Sequence, residues 1–386
     1  MKEAFFEILK KGEEGSKSRQ MAFRRLQKIG LPDRKHEVWR YFRFNTLYSQ
    51  PPLLGEETSL DFPKELPKKL TIQSLAEAKK SFAGYLDARI QEVIEKEEDP
   101  FALISHTLTD EGLFIYLPPG LELEEPLRIQ NPVSKNHSSP KLFLFAGKNA
   151  KAKLLFETTA KEENHTASLF LDFNLDKSAD VEVQFLPQET EAWQTTSVRA
   201  SCKEEARFKL LTLTAGSKAE SLSVTCDLLE ERAFADVTCL AALTGQNDSN
   251  LSVKMNHRAP ETTSNQLVKS ILADQSHFSF DGRIYVEPVA LKTEAYQLNN
   301  NLLLSDNAKA ECKPNLEIFA DDVKASHGAT FGALQEEEIF YLVARGIPEK
   351  LARQRLTEAY AEVILRDLID EKKRNLFKSH LSRLFV

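Results

Sequence analysis

The four cysteines of the chain are the first candidates for metal or redox chemistry. They are Cys202, Cys226, Cys239 and Cys312, and the closest pair lies thirteen positions apart, so none has the CxxC spacing of a local metal or cluster site. The first three fall within apolar, alternating runs, which favours buried free thiols. Cys312 lies between Glu311 and Lys313, which predicts an exposed thiol whose pKa the lysine lowers slightly.

His327 stands between Ser326 and Gly328. An imidazole can bind iron and can exchange a proton near neutral pH. The same residue is also typical of a strand end, where the ring is hydrogen-bonded to the backbone and the glycine permits a turn. The residue types alone leave both interpretations open.

Asp321 and Asp322 form an adjacent carboxylate pair. On a strand, neighbouring side chains point to opposite faces, so the two could not flank one substrate bond as paired catalytic acids do. We instead expect them in a turn, at a solvated edge or, together with Lys324, among the charged groups of a subunit interface.

Basic and aromatic residues are concentrated between Arg34 and Phe44, around Trp39. Such residues can form stacking platforms for single-stranded nucleic acids. The net charge of −7 argues against this function, because phosphate contacts need a clustered positive field. We therefore expect the aromatic rings to dock onto the core, and we expect no nucleic-acid partner.

The composition excludes several other classes of protein. The 386 residues are 41% hydrophobic and 28% charged, which is ordinary for a globular chain with a sizeable core. No apolar run approaches the ~20 residues that cross a bilayer, and charged residues interrupt the first twelve positions, where a secretory signal would be apolar. We expect a cytoplasmic protein with no membrane partner. The GxxxxGK(S/T) loop of many nucleotide hydrolases is absent from the sequence.

The spacing of hydrophobic residues along the sequence divides the chain into three regions, and the elements in these regions must position the candidate functional residues. Residues 1–105 are mostly helical in spacing, over 1–11 and 71–97, with a proline-containing linker between about 50 and 69. Residues 106–334 show short runs with a two-residue period, such as Leu169, Leu171, Phe173 and Leu175. None of the segments between these runs is long enough for a crossover helix, which leaves a sandwich, a barrel or a solenoid. We find no repeat of fixed length, so a solenoid would be irregular.

Residues 335–386 return to a helical period. Three glutamates at 336–338 suit a helix N-terminus, and Arg345 and Gly346 are predicted to end this helix. Pro348 is then expected in the first turn of a second helix. The apolar stripe of that helix is predicted to contain Ala352, Leu356, Ala359, Val363 and Ile364. A charged break over 370–375 is predicted before a short tail.

Three sets of motifs carry a family resemblance. They are RKHEVWRY at 34–41, KTEAYQ and NLLLS at 292–297 and 301–305, and DDVKASHGAT at 321–330. Together they resemble the SufB/SufD family of iron–sulfur cluster assembly scaffold proteins, and most of all its D type. The match is nearly continuous from 282 to 364 and weak between 50 and 250. Ala308 and Gly328 stand where B-type chains carry a cysteine and a glutamate, and Ala325 stands where D-type chains commonly carry a cysteine.

The resemblance implies a mainly β fold, a right-handed parallel β-helix flanked by N-terminal and C-terminal helical regions. It implies a non-catalytic subunit that pairs with a SufB-like chain and binds a SufC-like ABC ATPase. Whether the chain also forms a homodimer when alone stays open on the sequence. No resident cofactor is expected, and no metal held by this chain alone, although a transient iron–sulfur cluster could be shared with SufB.

The same resemblance assigns roles to individual residues. His327 becomes a candidate iron or cluster ligand at the subunit interface, with Cys312 as a weaker candidate. The ATPase-docking candidates are Arg345, Gly346, Ile347 and Pro348. Their helical hairpin also has a plainer role, which is to cap the open end of the β-helix.

Two other functions stay open on the sequence. A β-helix also hosts carbohydrate-active enzymes, although these usually act outside the cell and the chain shows no export signal. The chain could also be the B-type scaffold, against which Ala308 and Gly328 argue.

Overall fold

The structure is a computed structural model that describes residues 2–33, 35–40, 42, 60–133, 138–160, 166–186 and 190–385. The predicted linker at 50–69 lies partly outside the described residues. The α-helices are α1 (Lys2–Leu9), α2 (Lys17–Ile29), α3 (Leu75–Ser81), α4 (Ala83–Lys96), α5 (Pro100–Leu108), α6 (Glu336–Val343), α7 (Glu349–Leu365) and α8 (Glu371–Arg383). Short 3₁₀ turns follow α1 and α2, at Lys10–Glu14 and Glu37–Trp39.

The strands occupy most of the chain between α3 and α6, after one strand that precedes α3. They are β1 (Thr71–Ser74), β2 (Gly112–Leu117), β3 (Leu127–Val133), β4 (Lys141–Ala146), β5 (Lys151–Ala160), β6 (Thr166–Leu175), β7 (Asp180–Leu186), β8 (Thr190–Cys202), β9 (Arg207–Thr214), β10 (Ser217–Leu228), β11 (Phe234–Leu243), β12 (Asp248–His257), β13 (Thr263–Leu272), β14 (His277–Val286), β15 (Thr293–Leu303), β16 (Lys309–Ile318) and β17 (Val323–Gly332).

These strands form a parallel β-solenoid, which confirms the predicted fold class. From β2 onward, even-numbered strands lie side by side in one sheet and odd-numbered strands in a second. β1 pairs antiparallel with β2 and begins the first sheet, which has nine strands, while the second has eight. The right-handed sense of the coil stays a prediction.

The turns of the solenoid differ in length, as expected from a sequence without a fixed repeat. Hydrogen-bonded side chains on successive turns are 27 residues apart at Ser168 and Thr195, and 29 apart at Ser221 and Asn250. At Ser270 and Asn301 the spacing is 31. Loop insertions between strands therefore leave the stacking of the strands intact.

Three apolar clusters hold the molecule together. The largest fills the space between the two sheets. A second joins the N-terminal helices to the outer face of the nine-stranded sheet, where Phe114, Phe143 and Phe170 are buried. The third joins α7 and α8 to the outer face of the eight-stranded sheet, around Leu240 and Ile271. Apolar side chains on both faces of each sheet explain why many strands are buried on both sides.

The C-terminal helices correct three predictions. α7 and α8 cover a face of the eight-stranded sheet, so the expectation that the hairpin caps the open end of the solenoid is wrong for α7. The charged segment at 370–375 does not break the helical structure, because the Asp370 side chain accepts hydrogen bonds from the first turn of α8. In the predicted stripe of α7, Ala352 and Ile364 are buried as expected, but Val363 is 43% exposed, and Ala361 and Leu365 are buried instead.

At the other end of the chain, the predicted helix at 71–97 is wrong at its start. Its first four residues form β1, and Ser74 then caps α3 in a capping box with Glu77.

Candidate functional site

The last turn of the solenoid leaves two strand edges open. β16 ends the nine-stranded sheet and β17 ends the eight-stranded sheet, and no further strand of the described ranges pairs with either. Most side chains of β17 are exposed and most of β16 are half-buried, whereas those of β13 and β14 are mainly buried. The N–H and C=O groups of such an edge can pair with another chain.

His327 lies on β17, beside Gln297 of β15 in the register of the parallel pair. The alternation of the strand directs this exposed side chain toward the interior of the solenoid, which is open at this end. Gly328 continues the strand, so the expected turn at this glycine is absent. A cavity of about 400 Å³ lies against the same strands, with His327, Ser326 and Gly328 in its lining.

Cys312 lies on β16 and packs against the apolar interior, half-buried. Burial and the nearby carboxylate of Asp281 raise the pKa of its thiol to about 12. The expectation of an exposed thiol with a lowered pKa is wrong, because Cys312 faces inward while its charged sequence neighbours face the other way. The other three cysteines are buried, as predicted.

The charged interface candidates surround the turn between β16 and β17. Asp321 and Asp322 are exposed in this turn, and the Asp322 carbonyl accepts a 2.6 Å hydrogen bond from the Lys292 N–H. Lys324 is the second residue of β17 and pairs with Glu294 at 2.8 Å, with 74% of the lysine side chain exposed. The expectation that the two aspartates lie in a turn agrees with this placement.

The elbow between α6 and α7 contains the four predicted docking residues. Gly346 has a φ of +86°, a left-handed conformation that glycine adopts without strain. The guanidinium of Arg345 lies 3.4 Å from the centre of the Tyr341 ring, and Pro348 stands just before the first residue of α7. Ile347 is half-buried.

Exposed apolar side chains near these positions were not predicted from the sequence. Around the open end they are Tyr296, Leu298, Phe319 and Phe331, which are 39–59% exposed. On α6 they are Phe340, Tyr341 and Val343, with Phe340 the most exposed at 74%. Clusters of this kind mark interaction surfaces. Their sequence signal is weak, since an aromatic residue in a strand or helix normally predicts burial.

The described part of the basic and aromatic segment, residues 35–40 and 42, docks onto the core, as predicted. Trp39 and Phe42 are buried, and the Trp39 indole donates a hydrogen bond of 3.2 Å to Ser221. Arg34, Tyr41 and residues 43–44 lie outside the described residues.

A search for three or more clustered histidine, cysteine or carboxylate side chains that could hold a metal ion finds none among the described residues. Any metal bound at the open end would need further ligands. Within the same part of the chain, no helix is long and apolar enough to span a membrane.

Comparison with known families decides the family. A model described as the SUF system FeS cluster assembly SufBD core domain matches residues 128–360, and the SufBD protein N-terminal region matches 57–129. The chain belongs to the SufBD family. This confirms the resemblance predicted from the three motif sets.

Several individual proteins are similar to this SufBD chain. An iron–sulfur cluster assembly SufBD family protein of Synechocystis is 26% identical over 78% of the chain and 69% of its own length. ABCI7, a chloroplastic protein of Arabidopsis thaliana, is 28% identical over 70% of the chain and 60% of its own length. The iron–sulfur cluster assembly protein SufD of Escherichia coli is 44% identical over 30% of the chain and 28% of its own length. The likeness to SufD-type proteins supports the predicted D type and a role in iron–sulfur cluster assembly.

Proposed function

We propose that this SufBD chain is a non-catalytic scaffold subunit that pairs with a SufB-like chain through the open end of its solenoid. The observation that carries the proposal is the pair of strand edges on β16 and β17 that no other described strand covers, with His327 on one of them. In this arrangement iron or a nascent cluster is bound at the interface and shared between the two chains.

The open end has the features of a pairing surface. Its edges offer backbone groups for strand addition, a common mode of protein recognition. Phe319 and Phe331 are exposed beside these edges, and aromatic anchors contribute much of the binding energy in interfaces. A solenoid that worked alone would need this end covered, and the C-terminal helices pack elsewhere.

His327 is the ligand that this chain contributes to the proposed interface. Its side chain is exposed, and imidazole nitrogen is a common ligand of iron. Cys312 is the weaker candidate, because its raised pKa disfavours the thiolate that binds metal. The remaining ligands would come from the partner.

We further propose that the ATPase docks on α6 and the elbow that follows it. The apolar face of α6 is exposed, and it is displayed by a short helix whose only buried residue is Ile339. Phe340 is a better probe of docking than Ile347, since substitution of a half-buried residue would also disturb packing. Turnover of ATP would belong to the partner, and this chain would bind and position it.

The pairing and docking surfaces can be tested against each other. Phe331→Asp should weaken association with a co-expressed SufB-like subunit by roughly 30-fold, the effect of losing about 2 kcal/mol at an interface anchor. It should leave ATPase capture unchanged. Phe340→Asp should do the reverse.

Leu376→Asp is the matched control, because Leu376 is 61% exposed on α8, away from both surfaces. Normal pairing of the Phe331 variant would contradict the open-end interface. Normal ATPase capture by the Phe340 variant would contradict the docking surface.

The ligand role of His327 needs a separate experiment on the assembled complex. His327→Ala should retain pairing but reduce iron, acid-labile sulfide and visible absorbance after anaerobic reconstitution. Ser326→Ala, an exposed neighbour on the opposite face of β17, should load normally. Equal loading of the His327 variant would refute the ligand role, whereas loss of pairing would show that His327 acts in the interface itself.

A further inference from the structure

The interior of the solenoid changes from apolar to polar toward its open end. The inward-facing residue is Val237 on β11, and in the register of the parallel strands its successors are Gln266 on β13, Gln297 on β15 and His327 on β17. Two glutamines therefore lie in line behind the histidine, inside the solenoid. A two-residue strand period would normally assign inward positions to apolar side chains.

The two glutamines are buried without protein partners. Gln266 is 2% exposed and Gln297 is 3% exposed. Neither amide oxygen nor amide nitrogen of either side chain is hydrogen-bonded to another atom of the described chain. Nearby inward-facing polar groups differ in this respect, since the amide of Asn301 donates to Asn299 at 2.6 Å and the hydroxyl of Ser270 donates to Asn301 at 2.7 Å.

A glycine on the opposite sheet makes room for this pair. A Cβ atom on Gly282 would lie 2.2 Å from the amide nitrogen of Gln297, so any side chain at position 282 would force this amide to move. The Gln297 amide therefore extends across the interior to the backbone of β14. Glycine at position 282 thus serves the placement of this amide.

Burial of the amide oxygen and nitrogen of both glutamines without hydrogen bonds would cost folding free energy at each of the four atoms. Bound water removes this cost, because a buried water makes two to four hydrogen bonds, and each glutamine offers both a donor and an acceptor. The open end beside His327 gives water a way in.

We propose that Gln266 and Gln297 form an internal water-binding site, and that Gln297 positions the imidazole of His327 through this water. A histidine that binds metal usually has its second ring nitrogen held by another hydrogen bond. The positioning of His327 as a metal ligand rests on the proposed function of this residue, whereas the water site itself does not.

Thermal unfolding of the full chain tests the water site. Gln297→Met and Gln266→Met keep the side-chain length and remove the hydrogen-bonding groups. If both amides hold water, each variant should lower the melting temperature, and the double variant should lower it by less than the sum, because both changes remove one shared site. If the amides have no partner, each substitution should raise the melting temperature, which would overturn the proposal.

Gln184→Met is the matched control. Gln184 is equally buried, but its amide donates to the Asp367 carbonyl at 2.9 Å and accepts from the Ile369 N–H at 3.0 Å. Gln184→Met should lower the melting temperature. When it is combined with Gln266→Met or Gln297→Met, the two decreases should add.

Nuclear magnetic resonance gives readouts that packing alone would not change. In the full chain with ¹⁵N-labelled glutamine, the side-chain amide protons of Gln266 and Gln297 should show nuclear Overhauser cross-peaks to water that do not arise from hydrogen exchange. The absence of these cross-peaks would overturn the water site. With ¹⁵N-labelled histidine at one fixed pH, Gln297→Met should alter the tautomer signature of His327, and Gln184→Met should not.

An unchanged tautomer signature would overturn the positioning role. Both measurements use the chain without iron or a partner. A failure of the iron-loading experiment would therefore contradict the ligand role of His327 and leave the water site standing.

Discussion

His277 should make the stability of the open end depend on pH. It lies on β14 and is 5% exposed, with Nδ1 2.6 Å from a carboxylate oxygen of Asp248 on β12 and Nε2 hydrogen-bonded to Glu311 on β16. Both ring nitrogens face acceptors, so the ring must carry two protons and a positive charge. The three side chains tie the edge strand β16 to the two strands before it.

The magnitude follows from the pKa of the ring. Burial opposes the charge, but the hydrogen bonds and charges of Asp248 and Glu311 outweigh it and raise the pKa of His277 to about 9. The pKa of a histidine in the unfolded chain is about 6.5, and the difference between the two pKa values corresponds to about 3 kcal/mol of folding free energy. Because the folded pKa is the higher one, the contribution is complete below about pH 6.5 and is lost as the pH rises through about 9.

The assay is urea unfolding between pH 6 and pH 10, monitored by circular dichroism. His277→Gln should be less stable than the native chain at pH 6, and the difference should shrink toward pH 10. His257→Gln is the control, since burial lowers the pKa of His257 to about 4 and keeps it neutral across this range. Parallel stability curves for the native chain and His277→Gln would refute the reasoning.

Three further outcomes are expected. Cys312 should resist alkylation by iodoacetamide at pH 8 in the folded chain but react in urea, because its pKa is raised to about 12; equal rates by mass spectrometry would contradict its burial. Arg89→Ala should cost about 3–5 kcal/mol, since it leaves the buried carboxylate of Asp172 without its 2.8 Å partner, and hydrogen exchange should show α4 loosened before the solenoid. Lys324→Ala should leave the melting temperature unchanged despite the Glu294 ion pair, because the lysine is solvated; a clear fall would contradict this.

The sequence predicted the large elements because their periods are long and regular. The alternation through Leu169, Leu171 and Phe173 corresponds to β6, and the return of helical spacing after residue 335 corresponds to α6 and α7. β1 was missed because four residues are too few to establish a two-residue period beside a helix. α8 was missed because the charged residues after Asp370 resemble a linker, although they form the first turns of a capped helix.

The candidate site was predictable only where local motifs carry it. His327 and the elbow at Gly346 were found from their motifs, and the structure shows both near exposed apolar surfaces. The inward direction of Cys312 depends on strand register, which its charged neighbours conceal. Gln266 and Gln297 are polar residues in strands and would be assigned to the solvent face. Only the stacking of three strands shows that they lie inside.

The covering of the eight-stranded sheet by α7 and α8 has a consequence for biosynthesis. Leu240, Ile271 and Leu302 lie on the outer face of that sheet and are buried by helices that the ribosome makes after the strands. Until those helices emerge, a nascent chain with a nearly complete solenoid displays a continuous apolar face. Such intermediates are prone to aggregation and are typical clients of chaperones. Translational arrest before α7 should therefore yield a chain that chaperones retain, even though its strands can already pair.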